Sequence, residues 1–209
     1  MRRALARLPA RIWPVHDHLQ SLQSLGQART LAGYFRGAGQ LRKGQRDPVD
    51  RLHLDQGASL GQRRKRGEHE QAIGRSRGGR TTKIHALSDA DCRPCAFHLT
   101  PGQEADITAA PALLMLAPPM RALIADKGYD GDDFRADIVH RGAKPVIPNK
   151  SNRVALHRFS KRAYKGRNVI ERCFCRLKDF RRIATRYDKL ARNFLAAVQL
   201  AALVAYWIN

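Results

Sequence analysis

The change of hydrophobic periodicity along residues 81–208 is the feature that most limits the fold of this chain. Two segments alternate polar and apolar residues, as strands with one solvated face do, and turn residues join them. Segments with an apolar residue every three or four positions then alternate with short apolar runs. The predicted elements are strands at 81–87 and 94–99, a helix at 104–116, a strand at 122–125, a helix at 132–140, a strand at 144–147 and helices at 164–178 and 189–208. A hairpin followed by strand–helix alternation predicts an α/β fold, with a mixed sheet flanked by helices.

The balance of charges indicates the class of partner. The chain has 209 residues, with 39 Lys and Arg against 18 Asp and Glu, which gives a formal net charge of +21. Such an excess of one sign repels itself unless a polyanion neutralises it, so nucleic acid is the expected partner. The longest apolar stretch, 194–208, is interrupted by Gln199 and is short for a membrane span, so we interpret it as a buried terminal helix.

The first third of the chain carries few structural signals. Residues 1–66 are rich in Arg, Leu, Gln, Ala and Gly and show no sustained amphipathic period, which predicts a basic, poorly structured segment. The stretch 74–80 that follows is basic and broken by glycines, and its Arg75, Arg77 and Arg80 are suited to a phosphate backbone. A flexible solvated connector is the alternative interpretation of this stretch.

Residues 164–178 predict a helix with two distinct faces. One face carries apolar residues at spacings of four and three, namely Ile170, Phe174 and Leu177. Arg167, Glu171 and Lys178 share another face. One carboxylate held among cations on a rigid helix is suited to holding a metal ion beside a phosphate, provided that further carboxylates come from elsewhere. The alternative is a basic amphipathic helix with ordinary ion pairs one turn apart.

Asp126 is the candidate for a second carboxylate. It directly follows the apolar run 122–125, and Gly128 allows the chain to turn away at once. A carboxylate at the carboxyl end of a central strand lies at the edge where α/β sheets bind ligands. With Glu171 it would provide two hard oxygen ligands for Mg²⁺, whereas alone it would be expected to cap the next helix.

These residues together resemble the signature of the bacterial insertion-sequence transposases. Tyr164, Arg167, Glu171 and Lys178 reproduce the Tyr-(2)-Arg-(3)-Glu-(6)-Lys spacing of that family. The run Ala-Asp-Lys-Gly-Tyr-Asp at 125–130 looks like the segment that carries the family's second catalytic aspartate.

A third motif extends the resemblance over most of the chain. The run Gly-Arg-Ser-Arg-Gly-Gly-Arg-Thr-Thr-Lys-Ile-His-Ala-Leu, which begins at residue 74, resembles a stretch common in one large subgroup. The match covers about residues 68–209.

The resemblance implies a fold, a site and a set of partners. It implies a ribonuclease-H-like catalytic domain at 67–209 with a DDE active site, in which two Asp and one Glu hold two divalent ions, Mg²⁺ or Mn²⁺. Asp126 and Glu171 would be catalytic metal ligands. The residues implied to bind DNA are Tyr164, Arg167, Lys178, Arg75, Arg77, Arg80 and Lys127. The implied partners are double-stranded DNA, as transposon ends and target, and further copies of the chain, in the bacterial cytoplasm and associated with the nucleoid.

One part of the family pattern is absent from the sequence. The family's first catalytic Asp lies on the first strand, but the residues around Asp50 and Asp55 contain no apolar run that predicts a central strand. The first strand is therefore expected to be missing or degenerate, with Asp50 as the stand-in for that Asp. We also hypothesise that residues 1 to about 62 are translated out of frame, because displaced codons for 51–57 can read Asp-Ser-Thr-Ser-Ile-Arg-Ala. The nucleotide sequence of the gene tests this hypothesis.

Three functions are compatible with these observations. The leading one is an insertion-sequence transposase that cleaves and transfers DNA strands with divalent metal, inactive in this copy if the first Asp is absent. The alternative is a non-catalytic DNA-binding protein derived from a transposase, which would bind DNA without Mg²⁺-dependent nicking. An RNA-binding protein is the third, although charge alone would not produce the Tyr-Arg-Glu-Lys spacing.

Overall fold

The computed structural model describes residues 49–61 and 71–208, and within them seven strands form one mixed sheet. The strands are β1 (Val49–Gly61), β2 (Gly74–Ser76), β3 (Gly79–Ser88), β4 (Pro94–Pro101), β5 (Met120–Ala125), β6 (Lys144–Val146) and β7 (Thr185–Arg186). The helices are α1 (Ala110–Leu116), α2 (Asp132–His140), α3 (Lys161–Tyr164), α4 (Asn168–Lys178), α5 (Arg181–Ala184) and α6 (Ala191–Tyr206). Short 3₁₀ turns lie at Asp106–Ala109, Lys127–Tyr129 and Lys165–Arg167.

The strand β1 lies at the centre of the sheet. It pairs antiparallel with β3 on one side and parallel with β5 on the other, and β6 continues the sheet parallel to β5. β2 and β4 both pair with β3, and β7 pairs with the end of β1. The order β4-β3-β1-β5-β6 combines antiparallel and parallel pairs, which confirms the predicted mixed sheet.

The first strand, which was expected to be missing or degenerate, is present as β1. Its Leu52 and Leu54 lie in the apolar core, and His53 and Asp55 on its other face are also buried. A strand becomes central through the neighbours that pair with it, so a short apolar content did not prevent β1 from being covered on both faces. β1 therefore belongs to the sheet although it lies ahead of residue 67, where the catalytic domain was predicted to begin. Of the predicted N-terminal segment 1–66, residues 1–48 and 62–66 lie outside the described residues.

Helices cover both faces of the sheet and form two apolar clusters. On one face, Leu52, Leu54 and Leu123 pack with Leu113 of α1 and Ile138 of α2. The other cluster joins strand β3 to α4 and α6 through Ile84, Ala86, Ile170, Phe174, Leu177, Phe194 and Val198. The buried face predicted for the 164–178 helix is therefore confirmed, and it holds α4 across the side of the sheet that carries Asp55.

The predicted helix at 164–178 is divided into three parts. Ser160 caps α3 by accepting a hydrogen bond from the backbone N–H of Ala163 at 3.2 Å. The 3₁₀ turn Lys165–Arg167 follows and α4 begins at Asn168. In this turn Gly166 lies close to β1, since a β-carbon there would stand 3.6 Å from Cε1 of His53. The break places Arg167 at the start of α4, directly above the central strands.

Within residues 49–61 and 71–208, no helix has the length and apolar character needed to cross a membrane.

Candidate active site

Two aspartates lie side by side on adjacent parallel strands, Asp55 in the middle of β1 and Asp126 directly after β5. Leu54 of β1 is the register partner of Ala125 of β5, so the following residues, Asp55 and Asp126, lie side by side. Neighbouring strands are about 4.8 Å apart, which keeps the two carboxylates close. Asp50 was predicted as the first carboxylate, but it lies five residues before Asp55 on β1, about 16 Å away at the usual rise per residue. The structure thus brings Asp55, and not Asp50, beside Asp126.

The two aspartates are oriented in the same way. The backbone N–H of Gln56 donates to Oδ1 of Asp55 at 2.8 Å, and that of Lys127 donates to Oδ1 of Asp126 at 2.8 Å. Asp126 Oδ1 also accepts a hydrogen bond from the hydroxyl of Tyr164 at 3.1 Å. In both residues one oxygen is held and the other, Oδ2, remains available to a cation.

Glu171 reaches the same place from the first turn of α4. Its Oε1 accepts from Nη2 of Arg167 at 2.6 Å, across one helical turn. Nη1 of the same guanidinium lies 3.5 Å from Oδ2 of Asp126 and 3.9 Å from Oδ2 of Asp55. The three carboxylates are therefore arranged around the side chain of Arg167.

The electrostatics of the site follow from this crowding. Burial above all, with the nearby charges of Asp126 and Glu171, raises the pKa of Asp55 to about 6 against the opposing Gln56 N–H and Arg167. Burial, followed by the charge of Asp126, raises the pKa of Tyr164 to about 12, so its hydroxyl stays protonated and remains a donor. The Arg167 guanidinium also lies over the Tyr164 ring, 5.6 Å from its centroid.

The donor set suits Mg²⁺ or Mn²⁺, which prefer carboxylate oxygens. As the side chains lie, however, no three Asp, Glu, His or Cys residues of the described part of the chain are arranged to hold one metal ion. Arg167 lies between the three carboxylates and forms an ion pair with each of them. The residue types therefore fit a divalent-metal site, and their present spacing fits a guanidinium.

Asp130, four residues after Asp126, has a different environment. The side chain of Asp130 is fully buried and accepts 2.8 Å hydrogen bonds from Arg135, Arg153 and the backbone N–H of Lys150. Burial opposes its ionisation, but the bonds from Lys150, Arg153 and Arg135 lower the pKa of Asp130 to about 2. The sequence does not predict this network, since Arg153 lies 23 positions from Asp130 in a segment with no periodic pattern.

Beneath Asp126 a buried hydrogen-bond chain fixes the next turn. His85 Nδ1 lies 2.6 Å from the Tyr129 hydroxyl, and His85 Nε2 lies 2.8 Å from Oγ1 of Thr100. Burial lowers the pKa of His85 to about 3, so the ring is neutral. The polar–apolar alternation of 81–87 predicted a strand with one solvated face, but the His85 ring is fully buried and lies against Tyr129. The 3₁₀ turn Lys127–Tyr129 is thereby anchored directly behind Asp126.

The predicted DNA-binding residues fall into two groups. Tyr164 and Arg167 touch the carboxylates, Lys127 is exposed next to Asp126, and Lys178 is exposed about 10 Å beyond Glu171 along α4. The exposed Arg75, Arg77 and Arg80 lie instead on the β2–β3 hairpin.

The hairpin is not part of the carboxylate cluster. Its strands reach the far end of β1, where Thr81 pairs with Leu60, five residues beyond Asp55. At the usual rise per residue this separation is about 16 Å. The structure therefore adds a distant basic hairpin to a compact site.

Comparisons with known proteins identify relatives of the chain. The family described as "Transposase DDE domain" matches residues 44–208. A protein of Brucella ovis, described as a transposase for insertion sequence element IS6501, is 36% identical over 127 residues, which span 60% of this chain and 98% of that protein. A Burkholderia cepacia protein, described as a transposase for IS402, is 28% identical over 205 residues, spanning 91% of this chain and 93% of its own length.

Solved structures resemble the chain more distantly. A simian T-cell lymphotropic virus intasome, in complex with a PP2A regulatory subunit, aligns with 78% of this chain and 50% of its own at 10% identity and a TM-score of 0.48. The catalytic core domain of BIV integrase aligns with 74% of this chain and 82% of its own at 15% identity and a TM-score of 0.41.

The family match begins at residue 44 and so includes β1, in agreement with the fold. It spans well over half of the chain, and it comprises the strands and the helix that carry Asp55, Asp126 and Glu171. This protein therefore belongs to the DDE transposases of bacterial insertion sequences.

Proposed function

We propose that this chain cleaves DNA strands at the ends of an insertion sequence and joins them to target DNA, with Asp55, Asp126 and Glu171 as its catalytic carboxylates. The observation that carries the proposal is the convergence of these three side chains around one position, from β1, β5 and α4. The proposal takes Asp55 as the first carboxylate of the DDE set, in place of Asp50.

Each residue has a role that its contacts support. The N–H groups of Gln56 and Lys127 hold one oxygen of each aspartate, so that both Oδ2 atoms face the same space. Tyr164 adds a second donor to Asp126 and keeps its carboxylate from rotating. Asp55, Asp126 and Glu171 would hold the divalent ions, which when bound would activate a water or a 3′-hydroxyl on one side of a phosphodiester and stabilise the leaving oxygen on the other.

The cations around the site would hold the nucleic acid. Lys127 and Lys178 are exposed on either side of the carboxylates and would contact phosphates near the cleaved bond. The hairpin arginines lie about 16 Å further along β1, which corresponds to about five base pairs of duplex. They would therefore contact the backbone of DNA away from the reacting phosphate.

Strand nicking tests the proposal. The substrate is a supercoiled plasmid that carries the gene with its flanking DNA, incubated with the full chain and Mg²⁺. The wild-type chain should nick it, whereas Asp126→Asn should lose more than about 100-fold in rate, because a metal ligand is removed. Asp133→Asn is the matched control, since Asp133 is an exposed aspartate at the start of α2, and it should retain wild-type nicking.

The same assay separates the two functions from different classes. DNA binding by the wild-type chain without nicking in Mg²⁺ or Mn²⁺ would contradict the catalytic proposal and favour a DNA-binding protein derived from a transposase. Preference for RNA over duplex DNA would contradict both. Action as an assembly of several copies stays a prediction of the family resemblance.

A further inference from the structure

Arg167 occupies the position that the three carboxylates surround. Its guanidinium makes one short contact, 2.6 Å to Glu171, and two looser ion pairs, 3.5 Å to Asp126 and 3.9 Å to Asp55. The side chains of Arg167 and Glu171 are 30% and 49% exposed, so the arrangement is open to solvent on one side. A single monovalent cation thus stands in contact with up to three negative charges.

This position cannot be shared with a divalent ion. Mg²⁺ requires oxygens at about 2.0–2.1 Å, whereas the planar guanidinium keeps the acids further apart. That spacing explains why no three potential ligands in the described ranges 49–61 and 71–208 are arranged for a metal as the side chains lie. For the carboxylates to close on one ion, Arg167 must leave.

The contacts of Arg167 with the described residues are compatible with its departure. Among them only the bond to Glu171 is short, and Glu171 is the most exposed of the three acids. The guanidinium also lies over the Tyr164 ring, which offers it a contact away from the carboxylates. Once released, its planar fork is suited to binding a phosphate with two hydrogen bonds.

We propose that Arg167 is an exchangeable counter-ion: it neutralises Asp55, Asp126 and Glu171 in the metal-free protein, and moves to a DNA phosphate when divalent ions bind. Metal binding and DNA binding then promote one another. A divalent ion displaces Arg167 from the carboxylates and so makes it available to a phosphate, and a phosphate that binds Arg167 removes the cation that competes with the metal. The inference rests on the proposed function and specifies how that site is regulated.

Binding of Mn²⁺ alone tests the exchange without DNA or catalysis. Free Mn²⁺ is measured by electron paramagnetic resonance in titrations of the full-length wild-type chain, Arg167→Gln and the control Arg172→Gln. Arg172 is an exposed arginine on the same helix, next to Glu171 in sequence. Arg167→Gln should bind Mn²⁺ about 10-fold more tightly, since a competing cation is lost, and Arg172→Gln should stay within about twofold of wild type.

The outcomes are distinguishable. Equal or weaker Mn²⁺ binding by Arg167→Gln would overturn the exchange while leaving the metal site intact. If none of the three proteins binds Mn²⁺, the proposed function itself fails, and the inference fails with it.

A second titration tests the coupling to DNA. Binding of a fluorescein-labelled 30-base-pair duplex is followed by anisotropy, in Ca²⁺ and in Na⁺ at matched ionic strength. Ca²⁺ should tighten binding by the wild type and by Arg172→Gln about fivefold, and should leave Arg167→Gln unchanged. Retention of the full Ca²⁺ effect in Arg167→Gln would contradict the proposal, and a wild-type chain that does not bind the duplex would contradict the proposed function.

Discussion

Asp126 and Asp130 lie four residues apart at the same edge of the sheet, and both face arginines. Of the two, only Asp126 has a carboxylate oxygen that no described residue holds by a short hydrogen bond. Asp130 is fully buried, and both of its oxygens accept short hydrogen bonds from Arg135, Arg153 and Lys150 N–H. Asp126 is 35% exposed, and its Oδ2 has only a 3.5 Å ion pair with Arg167. A carboxylate with saturated acceptors stabilises the fold, whereas one with a free oxygen beside a displaceable cation can bind a ligand.

The largest expected effect separates the two candidates for the first carboxylate. Asp55→Asn should lower the rate of Mg²⁺-dependent nicking by more than about 100-fold, because the amide supplies no charge to a divalent ion. Asp50→Asn should retain wild-type nicking, since residue 50 lies about 16 Å from Asp55 along β1. Loss of nicking in Asp50→Asn with activity kept in Asp55→Asn would reverse the assignment.

Loss of the saturated aspartate should affect stability. Asp130→Asn leaves Arg135 and Arg153 without their buried partner, so we expect a loss of about 3 kcal/mol in the free energy of unfolding, measured by urea denaturation. The matched variant Asp126→Asn should change stability far less, because Asp126 is partly exposed. Similar losses in both variants would remove the distinction between the two aspartates.

The pH dependence of stability should differ between Asp55 and Asp130. The folded-state pKa of Asp55 is about 6, above its ordinary 3.8, so the stability it contributes is present at low pH and is lost as pH rises through 6. The folded-state pKa of Asp130 is about 2, so its contribution is present above pH 4 and is lost as pH falls towards 2.

Urea denaturation at a series of pH values measures these contributions. Asp55→Asn should remove a decline of about 2 kcal/mol between pH 4 and 7, and so be more stable than wild type at pH 7. Asp130→Asn should remove the decline below pH 4 instead. If the wild type instead becomes more stable from pH 4 to 7, and Asp55→Asn does so to the same extent, the raised pKa of Asp55 is contradicted.

The smallest effect is expected at the basic β2–β3 hairpin. Replacing Arg75, Arg77 and Arg80 together by Gln should weaken duplex binding at low salt and reduce the slope of log K against log salt by about 2 to 3, if each arginine contacts one phosphate. The nicking rate at saturating DNA should stay unchanged, because the hairpin lies about 16 Å from Asp55. An unchanged salt slope would indicate that the hairpin is a solvated connector.

Much of the fold was predictable because its signals are local. The helix at Asp132–His140 and the strand before Asp126 lie where periodicity placed them, and the apolar face of α4 is buried as its spacing required. The Tyr-Arg-Glu-Lys spacing predicted the family, which the match over residues 44–208 confirms. Translation of residues 1 to about 62 out of frame stays a prediction, which the nucleotide sequence tests.

By itself, therefore, the sequence determined the helices, the β3–β4 hairpin, the charge and the spacing of Glu171 from its basic neighbours, because each depends on residues close together in the chain. Only the tertiary structure decided that β1 is central, since β3 and β5 supply the pairing and cover that its own sparse apolar residues do not predict. It also decided that Asp55 lies beside Asp126, that Arg167 stands between the carboxylates, and that Asp130 is saturated by Arg153. Those features join residues 20 to 120 positions apart, and such contacts arise from packing, which no local pattern encodes.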